Sequence, residues 1–197
     1  MTDERIARLV REHVDIVPYD PRWPEIFVRE RAHLLESLPR DLLGRIEHFG
    51  STAVPGLAAK PIVDMLVEVS DLEATKRRIA PVLEAQGYDY IWRPTRGDDV
   101  PPWYAWFIKR DPATGVRTHH IHMVEPHFEH WDSLLFRDYL IAHPDVAAEY
   151  AALKRGLAAA HPNDRVAYTG GKREFIDRVT RYAKESKERE DGRRSVR

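Results

Sequence analysis

The sequence predicts an α+β (α/β layered) fold: a mixed β-sheet with helices on one face, followed by a helical C-terminal third. Three observations carry the prediction. Residues 62–69 and 118–124 alternate with period two, which is strand patterning. Apolar residues recur at helical spacing near the start and again through the last third. The order helix, strand, strand, helix, further strands, then helices suits a sheet covered on one face, with the other face left for a ligand.

Taken in order, residues 1–12 are a polar lead or short helix, and residues 13–19 an edge strand in which Pro18 limits pairing. Asp20 then Pro21 signals a helix start. Trp23, Ile26, Phe27, Leu34 and Leu38 give that helix an apolar face to about Ser37, and Pro39 ends it. Leu42, Leu43 and Ile46 lead into a strand, and residues 62–69 form the next. Asp71 caps a helix over 72–86, which Gly87 ends. Residues 88–92 are a strand, 93–102 a loop, and 103–110 an aromatic strand. The Asp111–Gly115 turn residues join this strand to residues 116–124 as a hairpin. Helices follow over about 129–142, 145–160 and 171–187, with Pro144 and Pro162 at the breaks. This organisation is one domain over 1–187, of which 129–187 is a helical extension, and a charged, disordered tail over 188–197.

Composition narrows the function classes. A chain of 197 residues with 43% hydrophobic content and five Trp can bury a sizeable core. The formal net charge of −1, from 31 basic and 32 acidic residues, gives no bulk pull toward nucleic acid or an anionic membrane. Cysteine is absent, which removes disulfides, thiol nucleophiles and thiolate metal sites. No apolar run approaches the length of a signal peptide or membrane span, so a cytoplasmic protein is expected.

The chemistry concentrates between Ile46 and Val69. The loop there holds Gly50, Ser51, Thr52, Pro55, Gly56, Lys60 and Pro61, and Asp64 opens the second strand. Backbone amides, two hydroxyls, a lysine and a carboxylate suit a phosphorylated ligand that carries a divalent metal. The same residues also fit a structural turn beside a hydrogen-bonded Asp. Alternation assigns Asp64, His120 and His122 to one open sheet face. Asp64 and Glu68 lie ~13 Å apart along one strand, too far to clamp one ion, whereas His120 and His122 are ~7 Å apart. With Asp64, the two histidines form a two-His, one-carboxylate set suited to Zn, Mn, Fe or Ni. They equally suit phosphate donors or hydrogen-bonded sheet residues. His48 is a secondary candidate for the same cleft. Lys172, in the stretch YTGGK, lies near helix N-terminal amides and could join an anion pocket. Arg137 fits a phosphate contact or an ion pair. Trp92, Trp103, Tyr104 and Trp106 suit a stacking wall for a base or a plain core.

The stretch IEHFGSTAVPGLAAKPIVDMLVEV resembles the signature of the GrpB family, and the resemblance continues through VPYDPRWPEIF, RTHHIHMVEP, FRDYLIAHPDVAAEYAALKR and YTGGKREFI. It covers roughly residues 14–182. GrpB proteins are similar in turn to the nucleotidyltransferase superfamily with the DNA polymerase β-like fold, so the resemblance implies a nucleotidyltransferase-like sheet. Gly50 and Ser51 match that superfamily's Gly-Ser element, and Asp64 matches the first carboxylate of its Asp-x-Asp/Glu strand. Leu66 stands where the second carboxylate belongs. The resemblance implies an NTP ligand, phosphates held at Gly50 and Ser51, and a divalent metal (Mg, Mn or Zn) at Asp64; the reading of the residues adds Thr52, Lys60 and Lys172 for the phosphates and His120 or His122 as further metal ligands. The reaction implied is transfer of a nucleotidyl group to an acceptor, with Asp64 as the catalytic carboxylate. Two alternatives stand beside it. Leu66 favours a non-catalytic binding module for a nucleotide or a coenzyme-A-related ligand, since GrpB-like domains occur fused to dephospho-CoA kinase. The His120, His122 and Asp64 set favours a metal-dependent hydrolase.

Overall fold

The computed structural model describes residues 13–95 and 101–195, with side chains to residue 189. The expected lead over 1–12 and the middle of the loop over 93–102 lie outside the described residues. The chain divides into two compact units. Unit 2 comprises residues 20–53 and 62–131. Unit 1 comprises residues up to 19, residues 54–61 and the chain from 132 on.

Unit 2 contains the sheet. Its strands are β1 (Leu43–Phe49), β2 (Val63–Val69), β3 (Asp89–Pro94), β4 (Trp103–Arg110) and β5 (Arg117–Val124), in the order β1-β2-β5-β4-β3. Only β2 and β5 run parallel; every other neighbouring pair is antiparallel, so the sheet is mixed. Helix α1 (Trp23–Ser37) covers one face. Its Phe27 ring stacks on His48 at 4.9 Å, and its Glu30 receives hydrogen bonds from Tyr88 and Lys109. The covered face carries Val63, Met65, Val67 and Val69, each 1% exposed or less.

Local chemistry explains the departures from expectation. Helix α1 begins at Trp23, later than Asp20-Pro21 suggested, because the Asp20 carboxylate binds the Arg22 N–H at 2.9 Å and its guanidinium at 2.6 Å. The helix expected over 72–86 is composite: α2 (Leu72–Ala74), a π turn (Thr75–Ile79) and α3 (Ala80–Ala85). Asp71 caps it as expected, accepting from Ala74 N–H at 2.6 Å. Pro81 explains the π turn, since proline supplies no N–H to the ladder and its ring pushes away the preceding turn's carbonyl. The β4–β5 hairpin forms, but Lys109 pairs with His119 while Arg110 pairs with Arg117, which leaves Thr118 as a bulge.

Unit 1 is helical, with α4 (Asp132–Ala142), α5 (Pro144–Ala160), α6 (Arg165–Gly170) and α7 (Arg173–Ser195). Its core joins Phe136, Leu140, Tyr150, Phe175 and Val179 to Val54 and Leu57. The 54–61 segment is tied down by the Val17–Ala59 bridge and by the buried Lys154 ammonium, which donates to Ala58 O at 2.5 Å. Residues 13–19 contribute that isolated bridge instead of an edge strand of the sheet, since their pairing partner is Ala59. Helix α7 runs to Ser195, through most of the expected tail. That stretch is rich in the helix formers Glu and Arg, and Arg189 pairs with Glu185 at 3.3 Å one turn away. Among the described residues no helix is long and apolar enough to cross a membrane.

Candidate functional site

After β1 the chain reverses through Gly50 at φ +71°. An L side chain in that region costs ~1–2 kcal/mol. Space makes a second demand, because a Cβ on Gly50 would lie 2.5 Å from Asp64 Oδ2 and 3.0 Å from Asp64 Cβ. Glycine is therefore what allows the Asp64 carboxylate to stand against the turn. Residues Ser51–Ala53 follow as one 3-10 turn, closed by the Ala53 N–H donating to Gly50 O at 3.3 Å. A phosphate here would meet turn amides and the half-buried Ser51 hydroxyl, with little help from a helix dipole.

Strand register fixes what shares the face with Asp64. Asp64 pairs with Phe49 on β1 and with His120 on β5; Leu66 pairs with Glu47 and His122. His122 in turn pairs with Trp106 on β4. Asp64, His120 and His122 thus lie on one face, as alternation indicated, together with Glu47, Tyr104 and Trp106. The Asp64 side chain keeps 27% exposure and His120 only 10%. His120 Nδ1 lies 3.1 Å from Asp64 Oδ1, and Arg117 Nη1 lies 3.3 Å from His120 Nε2. Both ring nitrogens of His120 therefore face protein groups.

His122, two residues along β5, sits in an aromatic nest. Its ring stacks on Tyr104 at 5.4 Å, meets Phe49 edge-on at 5.2 Å and approaches His130 at 5.6 Å. Burial is the main cause of three shifts. His122 is held well below the usual imidazole range, His130 is lowered to about 4 and Tyr104 is pushed up to about 12. Both imidazoles are neutral at pH 7. The His122 Nδ1 atom is buried and has no hydrogen-bond partner among the described residues.

The implied metal can be tested against this donor set. Among the described residues, no three His, Asp or Glu side chains are placed to hold one ion. His120 has no ring nitrogen facing open space. Leu66, 0% exposed, fills the position of a second carboxylate, and Glu68 is paired with Arg45 at 3.0 Å. What remains on this face is the partly exposed Asp64 carboxylate on β2, with Glu47, half-buried opposite Leu66, on the neighbouring strand β1. That fits Mg²⁺, which takes one or two carboxylates and completes its shell with water and substrate phosphates. A protein-built site of two histidines and a carboxylate does not fit.

Other sequence candidates fall elsewhere. Thr52 is 1% exposed, and its hydroxyl meets His48 Nε2 at 3.0 Å. His48 pairs with Met65, so both belong to the helix-covered face and not to the Asp64 cleft. The aromatic wall is divided, since Tyr104 and Trp106 flank His122 whereas Trp92 and Trp103 stack on each other at 6.5 Å. In the register, Trp92 pairs with Ala105, on the opposite face from Trp106. Arg137 pairs with Asp138 at 2.7 Å. Lys60 and Lys172 belong to unit 1, where their ammonium groups lie 5.3 and 4.5 Å from the Tyr168 ring centre. Lys172 precedes α7, and Tyr168 lies on the separate helix α6. A largely apolar cavity of about 650 Å³ in unit 1, lined by Ile16, Leu57, Ile141 and Ala148 among others, includes none of the candidate residues. Sequence reasoning missed Arg117 and His130. The bulge at Thr118 brings Arg117 to the Asp64 face; His130 sits in the 3-10 turn Glu129–Trp131 ahead of α4, and no pattern singles it out.

Comparison with known proteins gives a consistent picture. Residues 13–182 match the sequence description of the GrpB protein family. The chain is 42% identical to a UPF0157 protein of Pseudomonas aeruginosa over 85% of this chain and 66% of that protein. It is 36% identical to the glutamate-rich protein GrpB of Alkalihalophilus pseudofirmus, over 84% of this chain and 93% of that one. It is also 31% identical to a dephospho-CoA kinase of Mycolicibacterium paratuberculosis, over 89% of this chain and 47% of the kinase. The chain spans 66% and 48% of the Pseudomonas aeruginosa and Bacillus subtilis relatives. Among solved structures, the conserved protein GrpB from Enterococcus faecalis superimposes with a TM-score of 0.73 at 34% identity, covering 86% of this chain and 96% of that one. A cytoplasmic RNA terminal U-transferase aligns with a TM-score of 0.43 at 13% identity, covering 79% of this chain and 44% of that one.

Proposed function

This chain belongs to the GrpB family, and we propose that it binds a nucleotide on the sheet face that carries Asp64. The observation behind this reading is the approach of Asp64 Oδ2 to within 2.5 Å of the space a Gly50 side chain would fill. It sets an aligned carboxylate directly beside the amides and hydroxyl of the Gly50–Ser51 turn. The turn would hold phosphate oxygens, and Asp64 would hold a divalent ion that arrives with them. That ion would neutralise phosphate charge. In unit 1, the Lys60–Tyr168–Lys172 cluster is proposed as a further place for an anionic group.

Leu66 in place of a second carboxylate on β2 supports binding more than transfer. Two-metal phosphoryl chemistry sets its ions ~3.5–4 Å apart between shared carboxylates, and Leu66 supplies none. Nucleotidyl transfer from an NTP to an acceptor is the catalytic extension of this reading; it asks Asp64, with Glu47 on the neighbouring strand, to position the metal. The partial match to a dephospho-CoA kinase favours a second ligand class, the coenzyme A type, which itself contains an adenine nucleotide.

A thermal-shift screen tests both classes. ATP, GTP, CTP, UTP, coenzyme A and dephospho-CoA are each added with Mg²⁺, Mn²⁺ or chelator. A ligand at 100 times its Kd stabilises the native state by ~2.7 kcal/mol. The expected result is a shift with one nucleotide class that needs the divalent ion and is lost in Asp64→Asn. A shift that survives Asp64→Asn unchanged would place the ligand elsewhere.

A further inference from the structure

We propose that Arg117 is a positioning residue of this site: it fixes His120 as the Nδ1–H tautomer and thereby aims Asp64 at the ligand. The inference deepens the nucleotide reading and rests on Asp64 being the ligand-facing group.

The argument begins with what each group can do. A guanidinium has five N–H donors and no acceptor. Its Nη1 approach to His120 Nε2 at 3.3 Å is a hydrogen bond only if that nitrogen presents a lone pair. A neutral imidazole then carries its proton on Nδ1, and Nδ1 lies 3.1 Å from Asp64 Oδ1. The opposite tautomer would set an N–H against an N–H at one end and a lone pair against a carboxylate at the other. The relay therefore runs in one direction: Arg117 donates to His120, and His120 donates to Asp64 Oδ1. With Oδ1 held, Oδ2 is the oxygen set beside Gly50.

The chain is built to deliver Arg117. Simple alternation from His119 would point residue 117 toward the helix-covered face. The bulge at Thr118 reverses that parity, because Arg110 pairs with Arg117 while Lys109 pairs with His119. Arg117 is 4% exposed, and its guanidinium carbon lies 6.0 Å from the Trp106 ring centre. A charge so deep in the fold costs free energy that exposed arginines avoid, which is consistent with a role that requires this place. The relay also explains why His120, though adjacent to Asp64, is not a metal ligand: its lone pair is addressed by a cation.

The test is the imidazole nitrogen spectrum of the ¹⁵N-labelled full chain, with His120 assigned by His120→Gln. The expected result is a lone-pair shift at Nε2 and a protonated Nδ1. Arg117→Lys retains a donor and should keep the Nε2 shift; Arg117→Met leaves Nδ1–H held by Asp64 and should move Nε2 to the shift of a lone pair with no cationic donor. Binding of MgADP should weaken by roughly tenfold in Arg117→Met, the size of one lost hydrogen bond to a charged group, and recover in Arg117→Lys. An Nε2–H tautomer in the unmodified protein overturns the proposal, even if the Met variant fails to fold. An unmoved Nε2 shift in a folded Arg117→Met overturns it too. Failure of every nucleotide to bind, with the Nδ1–H tautomer in place, contradicts the nucleotide reading and supports the relay.

Discussion

Gly50 and Asp64 claim the same small volume: the Asp64 Oδ2 atom sits 2.5 Å from where a Gly50 Cβ would be. The backbone of Gly50, at φ +71°, also disfavours any side chain. Gly50→Ala should therefore cost ~1–2 kcal/mol from the backbone alone, with an added cost for displacing the carboxylate. Urea unfolding measures the stability loss. A loss below about 0.5 kcal/mol would mean that Asp64 and the turn do not meet in this way.

Thr52 is assigned to packing, since its hydroxyl serves His48 on the helix-covered face. Thr52→Val should cost ~0.5–1.5 kcal/mol, the net worth of the part-buried hydrogen bond to His48. Nucleotide affinity of the folded variant should remain within about twofold. A large affinity loss with unchanged stability would return Thr52 to the phosphate site.

How much of this was legible in the sequence depends on which rule governed each residue. Alternation put Asp64, His120 and His122 on one face, and the pairing of Asp64 with His120 agrees. The same rule places His48, paired with Met65, on the opposite face. Period-two reasoning fails for Arg117, because one bulged residue inverts the parity of everything before it. The joining of Lys60 to Lys172 over Tyr168 is long-range, and no local pattern announces it. The helix through 188–195 follows from helix propensity, which a reading of charge density alone overrode.

Leu66 is 0% exposed between Glu47 and His122. Leu66→Asp would create an Asp-x-Asp pair with Asp64 on β2. It should destabilise the fold by ~3–5 kcal/mol, as expected for an unpaired buried charge. Chemical denaturation with and without Mn²⁺ checks this. Stabilisation of the variant by Mn²⁺ beyond that of the unmodified chain would show that the face can accept a second metal-binding carboxylate.

His130 titrates in the pH range where acid unfolding begins. Burial lowers it from 6.5 to about 4. The unfolded chain therefore binds more protons than the folded one between those values, so stability falls as pH drops from about 6.5 toward 4. His122 is shifted in the same direction. Folding free energy measured from pH 7.5 to 4 should decline across this window by ~1–3 kcal/mol on account of His130. His130→Phe should flatten the decline; an unaltered slope would contradict the assignment.

Chemical-shift mapping of a backbone-assigned, ¹⁵N-labelled chain with MgADP and with dephospho-CoA tests the central claim most directly. The account predicts saturable perturbations at the Gly50–Ala53 amides and at Asp64, removed by Asp64→Asn. Saturable binding that leaves those amides unmoved, or no binding by either ligand class, would contradict it.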